Sequence, residues 1–226
     1  MTATLISFSE RSACVRQLAE DLGRQLREVL ARKPRAGLLL PGGRSPQALL
    51  PLLRRQALDW SRVDLSPTDE RWVEAEDPAS NWRLLSHGLP EVACLDPRQA
   101  EDPQSAAEHW GRNLEGWQPF AAVLLGMGED GHIASLFPGM PGLAAALDLG
   151  MPPRALLGWA PEAPRQRLSL SLSLLCDCDW LGLLAFGAVK RRLLEQALAD
   201  QPDSRGLPLH ALLHQEARPV RLYWAP

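Results

Sequence analysis

Residues 121–139 read Ala-Ala-Val-Leu-Leu-Gly-Met-Gly-Glu-Asp-Gly-His-Ile-Ala-Ser-Leu-Phe-Pro-Gly, and no other stretch constrains the fold as tightly. Its first five residues are apolar and include the β-branched Val123, which predicts a strand buried on both faces. A strand of that kind needs layers of helix on each side. Gly126, Gly128 and Gly131 then allow turns with positive φ, or a close approach of a ligand to the backbone. A short helix is expected from near His132 to just before Pro138. Glu129, Asp130 and His132 therefore stand at the carboxyl end of a strand, where open α/β sheets bind their ligands.

His132 carries the only side chain in this stretch that titrates near neutrality unaided, so it can serve as a general base. Asp130, two residues earlier in the same turn, can orient the imidazole. A lone Gly-x-Gly would mean no more than a tight turn with a solvated histidine. Three glycines, an acid and a histidine packed against Ser-Leu-Phe-Pro-Gly favour the chemical reading.

The surrounding chain alternates strand and helix patterns. From Ser9 to Lys33, apolar residues at Val15, Leu18, Leu22, Leu26, Val29 and Leu30 mark an amphipathic helix that Pro34 ends. Ala36 to Leu40 reads as a first buried strand, leading into Pro41-Gly42-Gly43-Arg44-Ser45-Pro46 and a Leu-rich helix. Ser45 suits the N-cap and Pro46 the first helical position, with a kink or break at Pro51. A Gly-Gly turn entering a helix suits an anion, although an ordinary βα loop looks the same in sequence. Val63 to Leu65 is a second strand, followed by Thr68-Asp69-Glu70-Arg71-Trp72-Val73 and by Asp77-Pro78-Ala79-Ser80-Asn81, which opens a helix. Residues 90–103 read as an exposed connection, and a helix spans about Gln104 to Trp117. Met140 to Arg154 is a Gly- and Pro-rich segment able to close over the site. Further strands are expected at Ala155 to Ala160, at Arg167 to Ser173 with one apolar face, at Leu181 to Phe186 and at Val220 to Trp224. Gly187-Ala188-Val189-Lys190 opens a helix to about Ala199, and Leu207-Pro208 opens a short one. Such alternation predicts an α/β fold, a mainly parallel sheet with helices on both faces, in a single domain over residues 1–226.

Composition removes several classes of function. With 226 residues, 46% of them hydrophobic and 23% charged, the chain reads as globular, and a net charge of −3 argues against a nucleic-acid surface. No apolar run approaches the roughly 20 residues that span a bilayer, and the first residues lack the pattern of a signal peptide. A cytoplasmic location without membrane partners is expected. The four cysteines read as buried thiols, since Cys176 and Cys178 are too close to bridge and Cys14 sits on a helix stripe. No cysteine and histidine spacing forms a zinc motif, so no metal is expected. His87, His109, His210 and His214 are read as structural.

From Gly126 to Gly139 the chain resembles the signature Gly-Met-Gly-x-Asp-Gly-His-x-Ala-Ser-Leu-Phe-Pro-Gly of 6-phosphogluconolactonases. Three further patches are similar to the same family. Pro41 to Pro46 resembles its Ser-Gly-Gly-Ser-Thr-Pro, with Pro41, Arg44 and Ser45 as departures. Asp69-Glu70-Arg71 with Ser80-Asn81 resembles its Asp-Glu-Arg-x-Val followed by Ser-Asn, with Glu74 in place of a proline. Arg167 and Lys190 fall where the family has Arg-Ile-Thr-Leu-Thr and a ligand-binding Gly-x-x-Lys. The resemblance implies a Rossmann-like fold and hydrolysis of 6-phospho-D-glucono-1,5-lactone to 6-phospho-D-gluconate in the oxidative pentose phosphate pathway, with no cofactor. It implies His132 as base and Asp130 as its orienting partner. Gly42, Gly43, Ser45, Arg71, Arg167 and Lys190 would bind the phosphate and the charge developing on the carbonyl oxygen. The partner is a small sugar phosphate, and the chain is expected to be a monomer or weak oligomer. Three rival readings require features of their own. A glucosamine-6-phosphate deaminase would need an acid five residues after the histidine, where Phe137 stands. A non-catalytic sugar-phosphate sensor would not need the Asp130/His132 pair. An NAD-binding domain would need Gly-x-Gly-x-x-Gly between a strand and a helix, which is absent.

Overall fold

The computed structural model, which describes residues 3–226, contains ten strands and nine α-helices in a largely alternating order. The strands are β1 (Ala3–Ser7), β2 (Ala36–Leu40), β3 (Val63–Pro67), β4 (Asp69–Arg71), β5 (Ala93–Cys94), β6 (Ala122–Gly126), β7 (Ala155–Trp159), β8 (Gln166–Leu170), β9 (Leu181–Phe186) and β10 (Val220–Ala225). The helices are α1 (Arg11–Leu30), α2 (Arg44–Gln47), α3 (Leu50–Arg54), α4 (Asn81–Gly88), α5 (Pro103–Glu115), α6 (Leu143–Leu147), α7 (Leu172–Cys176), α8 (Ala188–Leu198) and α9 (Pro208–His214). Seven strands form one sheet in the order β1-β10-β9-β6-β2-β3-β5, and its pairings are all parallel. A smaller antiparallel sheet, β4-β8-β7, stands beside it.

Both faces of the large sheet are covered, and the alternation along each strand assigns the side chains. Leu38 and Leu40 of β2, with Ala122 and Leu124 of β6, join the apolar stripe of α1 and residues of α3 and α4 in one core. Leu39, Val123 and Leu125 point the other way, into a second core with α5, α7, α8 and α9. Trp110 of α5 is buried there, and its indole N–H donates to Ser66 Oγ at 2.9 Å. No helix among the described residues is long and apolar enough to cross a membrane.

Several expectations are corrected by the fold. The stretch after His132 is not helical. Bridges between Met127 and Ile133 and between Ile133 and Leu136 fold it into a tight loop, whose Ala134 and Ser135 take positive φ. At the Gly-Gly turn the N-cap is Gly43, at φ 93°, instead of Ser45, so Pro46 is the third helical residue. The break before Pro51 occurs as expected, with Pro51 in the first turn of α3. The alternating strand from Arg167 stops at Leu170, because Ser171 caps α7, and both of its faces are buried. The connection 90–103 contributes the edge strand β5, and β1 and β4 are strands where none was expected. All four cysteines are free, and Cys14 is fully buried.

Leu39 lies in the middle of this layered core with no exposed surface. Replacing Leu39 by Ala should cost about 2–5 kcal/mol of unfolding free energy in urea titrations. A loss below about 0.5 kcal/mol would contradict its place between the layers.

Candidate functional site

Four neighbouring strands of the sheet, β9, β6, β2 and β3, end in the four patches that the sequence singled out. The connections from β2 and β3 run toward one edge and those from β6 and β9 toward the other, so the crevice beyond β2 and β6 is the topological switch point of the sheet. Topology therefore assembles residues that are far apart in the chain. A cavity of about 170 Å³ opens there, lined among others by Gly42, Gly43, Ser45, Arg71, His132 and Lys190.

His132 faces this cavity from the loop after β6, with Asp130 bonded to its ring. Nδ1 of His132 lies 2.6 Å from Asp130 Oδ1, and the same oxygen accepts the His132 backbone N–H at 3.2 Å. An ionised carboxylate can only accept, so Nδ1 carries the proton and Nε2 keeps its lone pair. Burial pushes the Asp130 carboxyl up, but the bond to the His132 ring, the charge of that ring and the backbone N–H groups of His132 and Asp130 together outweigh it and bring the carboxyl below its ordinary value. The imidazole is partly exposed, and Phe137 packs on it with ring centroids 4.4 Å apart. Gly128 makes the pair possible: a Cβ there would overlap Asp130 Oδ1 and the imidazole. Behind the loop, Leu209 N–H donates to Gly131 O at 3.0 Å, and Ile133 is fully buried in the core.

The cations come from the other three patches and from β8. Arg71 on β4 pairs in register with Arg167 on β8. Arg167 is 8% exposed, and its Nε and Nη1 are buried without a hydrogen-bond partner. Burial, and then the nearby Arg71, lower its pKa. Two adjacent guanidinium groups with unspent donors are a preformed place for an anion. Arg167 does not itself line the small cavity, whereas Arg71 does. Lys190 lies in the first turn of α8, and burial depresses its ammonium, with Glu129 opposing and Arg44 reinforcing that shift. Arg44 reaches the cavity too, and with Ser45 and Lys190 it also lines a larger basic groove of about 900 Å³. Gly43 turns the chain into α2, whose first backbone N–H groups have no partner within the helix. Four residues supply little dipole, so these N–H groups are what the turn offers. The segment 140–154 does not line the cavity that holds His132.

Several side chains around these groups hold Arg71 and the His132 loop in place. Glu70, fully buried, accepts the backbone N–H groups of Arg71 (2.7 Å), Asn81 (2.8 Å) and Trp82 (2.6 Å) and the Ser80 hydroxyl (3.2 Å), tying β4 to the start of α4. Burial raises its carboxyl, while those N–H groups and Arg98 counter the shift. Asn81 donates to Asp69 O at 2.7 Å and lies so close above Gly42 that a Cβ there would overlap its amide. Ser135 donates to Asp69, joining the His132 loop to β4. Asp-Glu-Arg is thus a scaffold as well as a charge run. The Ser-Asn that follows it was visible as a pattern, but its contacts depend on folding.

The family described as glucosamine-6-phosphate isomerases/6-phosphogluconolactonase matches residues 9–224. The chain belongs to this family. Among its relatives, the 6-phosphogluconolactonase of Pseudomonas putida is 41% identical over 215 residues, covering 92% of this chain and 87% of that protein. The 6-phosphogluconolactonase of Rhizobium meliloti (strain 1021) is 36% identical with both chains fully covered. A crystal structure of a 6-phosphogluconolactonase from Shewanella baltica OS155 superposes with a TM-score of 0.90 at 31% identity, over 99% of this chain and 98% of that one. A monomeric glucosamine-6-phosphate deaminase has the same fold, with a TM-score of 0.77 at 18% identity.

Glu70 supplies the test of the scaffold that holds Arg71. Glu70→Ala leaves three backbone N–H groups and Arg98 facing an apolar gap, and should cost at least about 3 kcal/mol of stability in denaturant titration. A loss within about 0.5 kcal/mol would show that these bonds do not hold the loop.

Proposed function

We propose that this chain hydrolyses 6-phospho-D-glucono-1,5-lactone to 6-phospho-D-gluconate, with His132 as the base that activates water. The observation that carries the reading is His132, bonded to Asp130, lining the same cavity as Arg71, Lys190 and the Gly42–Ser45 turn. Nε2 of His132 takes a proton from water as its oxygen attacks C1 of the lactone. The carbonyl π electrons move to oxygen and form a tetrahedral oxyanion. That intermediate collapses by breaking the bond from C1 to the ring oxygen, which leaves with the proton held on His132. Asp130 stabilises the imidazolium between these transfers and keeps the ring in place. Arg71, Arg167, Lys190 and the backbone N–H groups of the turn share the phosphate and the charge on the carbonyl oxygen.

Family membership alone leaves the deaminase reading open, and Phe137 weighs against it. The position where that reading needs an acid holds a buried aromatic ring packed on His132. Ammonia release from glucosamine 6-phosphate should therefore be absent in a coupled assay.

For the lactone, His132→Ala should lower kcat by about 10²–10⁴-fold while the protein stays folded, as followed by circular dichroism and the initial rate above the spontaneous reaction. An unchanged kcat would remove His132 from the chemistry. Tight 6-phosphogluconate binding by the unmodified chain with no turnover at all would favour a sensor instead.

Lys190 gives a prediction in pH. Its ammonium pKa is lowered, so it loses its proton at a lower pH than an ordinary lysine. Affinity for 6-phosphogluconate should therefore weaken as pH rises through that lowered range. Lys190→Arg, which stays charged, should remove this alkaline weakening in calorimetric titrations. If Lys190→Arg retains the full loss, Lys190 does not grip the anion.

A further inference from the structure

Outside the catalytic cavity, the end of α8 and the length of α9 bring together three side chains able to hold a metal. Asp200 follows α8 in a left-handed conformation, at φ 52°. His210 and His214 stand four residues apart on α9, one turn from each other and on one face. Their rings are stacked, with centroids 4.1 Å apart and planes 17° from parallel. One ligand atom from each of the three residues lies within 4.8 Å of the others. The sequence reading treated both histidines as structural. It missed the grouping because Asp200 is distant in sequence and reaches them only through the turn at 202–204.

Hydrogen-bond partners decide which nitrogen lone pairs are available. His214 Nε2 lies 2.8 Å from the Ala197 carbonyl, which can only accept, so Nε2 carries the hydrogen and Nδ1 is bare. His210 Nε2 lies 2.8 Å from Asp200 Oδ1, with a proton between them that a cation can replace. Arg205 donates to Asp200 through Nε at 2.9 Å and through a terminal nitrogen to Oδ2 at 2.8 Å, which keeps the carboxylate ionised and oriented. The Ala197 carbonyl and Arg205 are thus placed as the outer partners that metal ligands ordinarily have.

We propose that Asp200, His210 and His214 form a binding site for one divalent transition-metal ion. Two imidazole nitrogens and one carboxylate oxygen suit ions of intermediate softness, such as Zn²⁺ or Co²⁺, over Mg²⁺ and Ca²⁺, which prefer oxygen throughout. The ion fastens the end of α8 to α9. That fastening lies behind the catalytic loop, because Leu209 of α9 holds the Gly131 carbonyl and Leu207 packs on Gly131. Its role is structural, and no step of the lactone chemistry passes through it.

The test is titration of chelator-treated full-length protein with Co²⁺, read by visible absorption, and with Zn²⁺, read by calorimetry. The expected result is one saturable equivalent that persists in His132→Ala and weakens by more than about tenfold in His210→Ala and in His214→Ala. Absence of saturable binding overturns the proposal. So does binding that survives both α9 variants but disappears in His132→Ala, which would place the ion at the Asp130–His132 pair. Should either α9 variant lose its fold, imidazole NMR of the unmodified protein during Zn²⁺ titration decides. Shifts confined to His210 and His214 support the site, and shifts that leave both unmoved refute it.

Discussion

The bond between Asp130 and the His132 imidazole determines what this site can do. A carboxylate fixed on Nδ1 at 2.6 Å assigns the ring's proton and leaves the other nitrogen free toward the cavity. The bond exists because the loop lets both side chains fold back over Gly128, where any Cβ would occupy their space. Two residues beyond, Ala134 and Ser135 are held at φ 44° and 55°, which non-glycine residues seldom adopt. The core anchors of Ile133 and the link from Ser135 to Asp69 hold that strain in place.

That pair becomes a site only because of where the sheet delivers it. A parallel sheet sends the carboxyl ends of its strands to one side, and the β2/β6 crevice is where their connections diverge. The His132 loop and the Gly42–Ser45 turn flank that crevice, Lys190 arrives at the end of β9, and the β4–β8 rung presents Arg71 beside Arg167. Setting two guanidiniums side by side costs energy, and burial first, then the charge of Arg71, lowers the Arg167 pKa. An anion that pairs with both relieves their repulsion. The buried Glu70 carboxylate offsets part of the same repulsion and fixes the loop that carries Arg71.

Much of this was legible in the sequence, and the parts that were not have physical causes. Continuous apolar runs such as Leu181 to Phe186 identify buried parallel strands because nothing else suits a strand covered on both faces. The strand β4 was hidden, since Asp-Glu-Arg has no strand character and becomes one only by pairing with β8. The expected helix at His132 failed because its glycines and the αL residues bend the loop back before a helical turn can close. At Gly43 the backbone freedom of glycine starts α2 two residues before the place that Ser45 and Pro46 marked. Candidate site residues were visible as types at strand ends. Their partners were not: Glu70 with four donors, Asn81 over Gly42 and Asp200 against His210 are contacts between segments, which local pattern does not encode.

Under the proposed mechanism one cavity holds the sugar's C1 at His132 and its phosphate among the cations, which a crystal structure with 6-phosphogluconate bound would test. The product carboxylate should lie within hydrogen-bond distance of His132 Nε2, with the phosphate contacting Arg71, Arg167, Lys190 or the Gly42–Ser45 turn. A ligand whose carboxylate lies away from His132, or one seated wholly in the larger groove beyond Arg44, would contradict that mechanism.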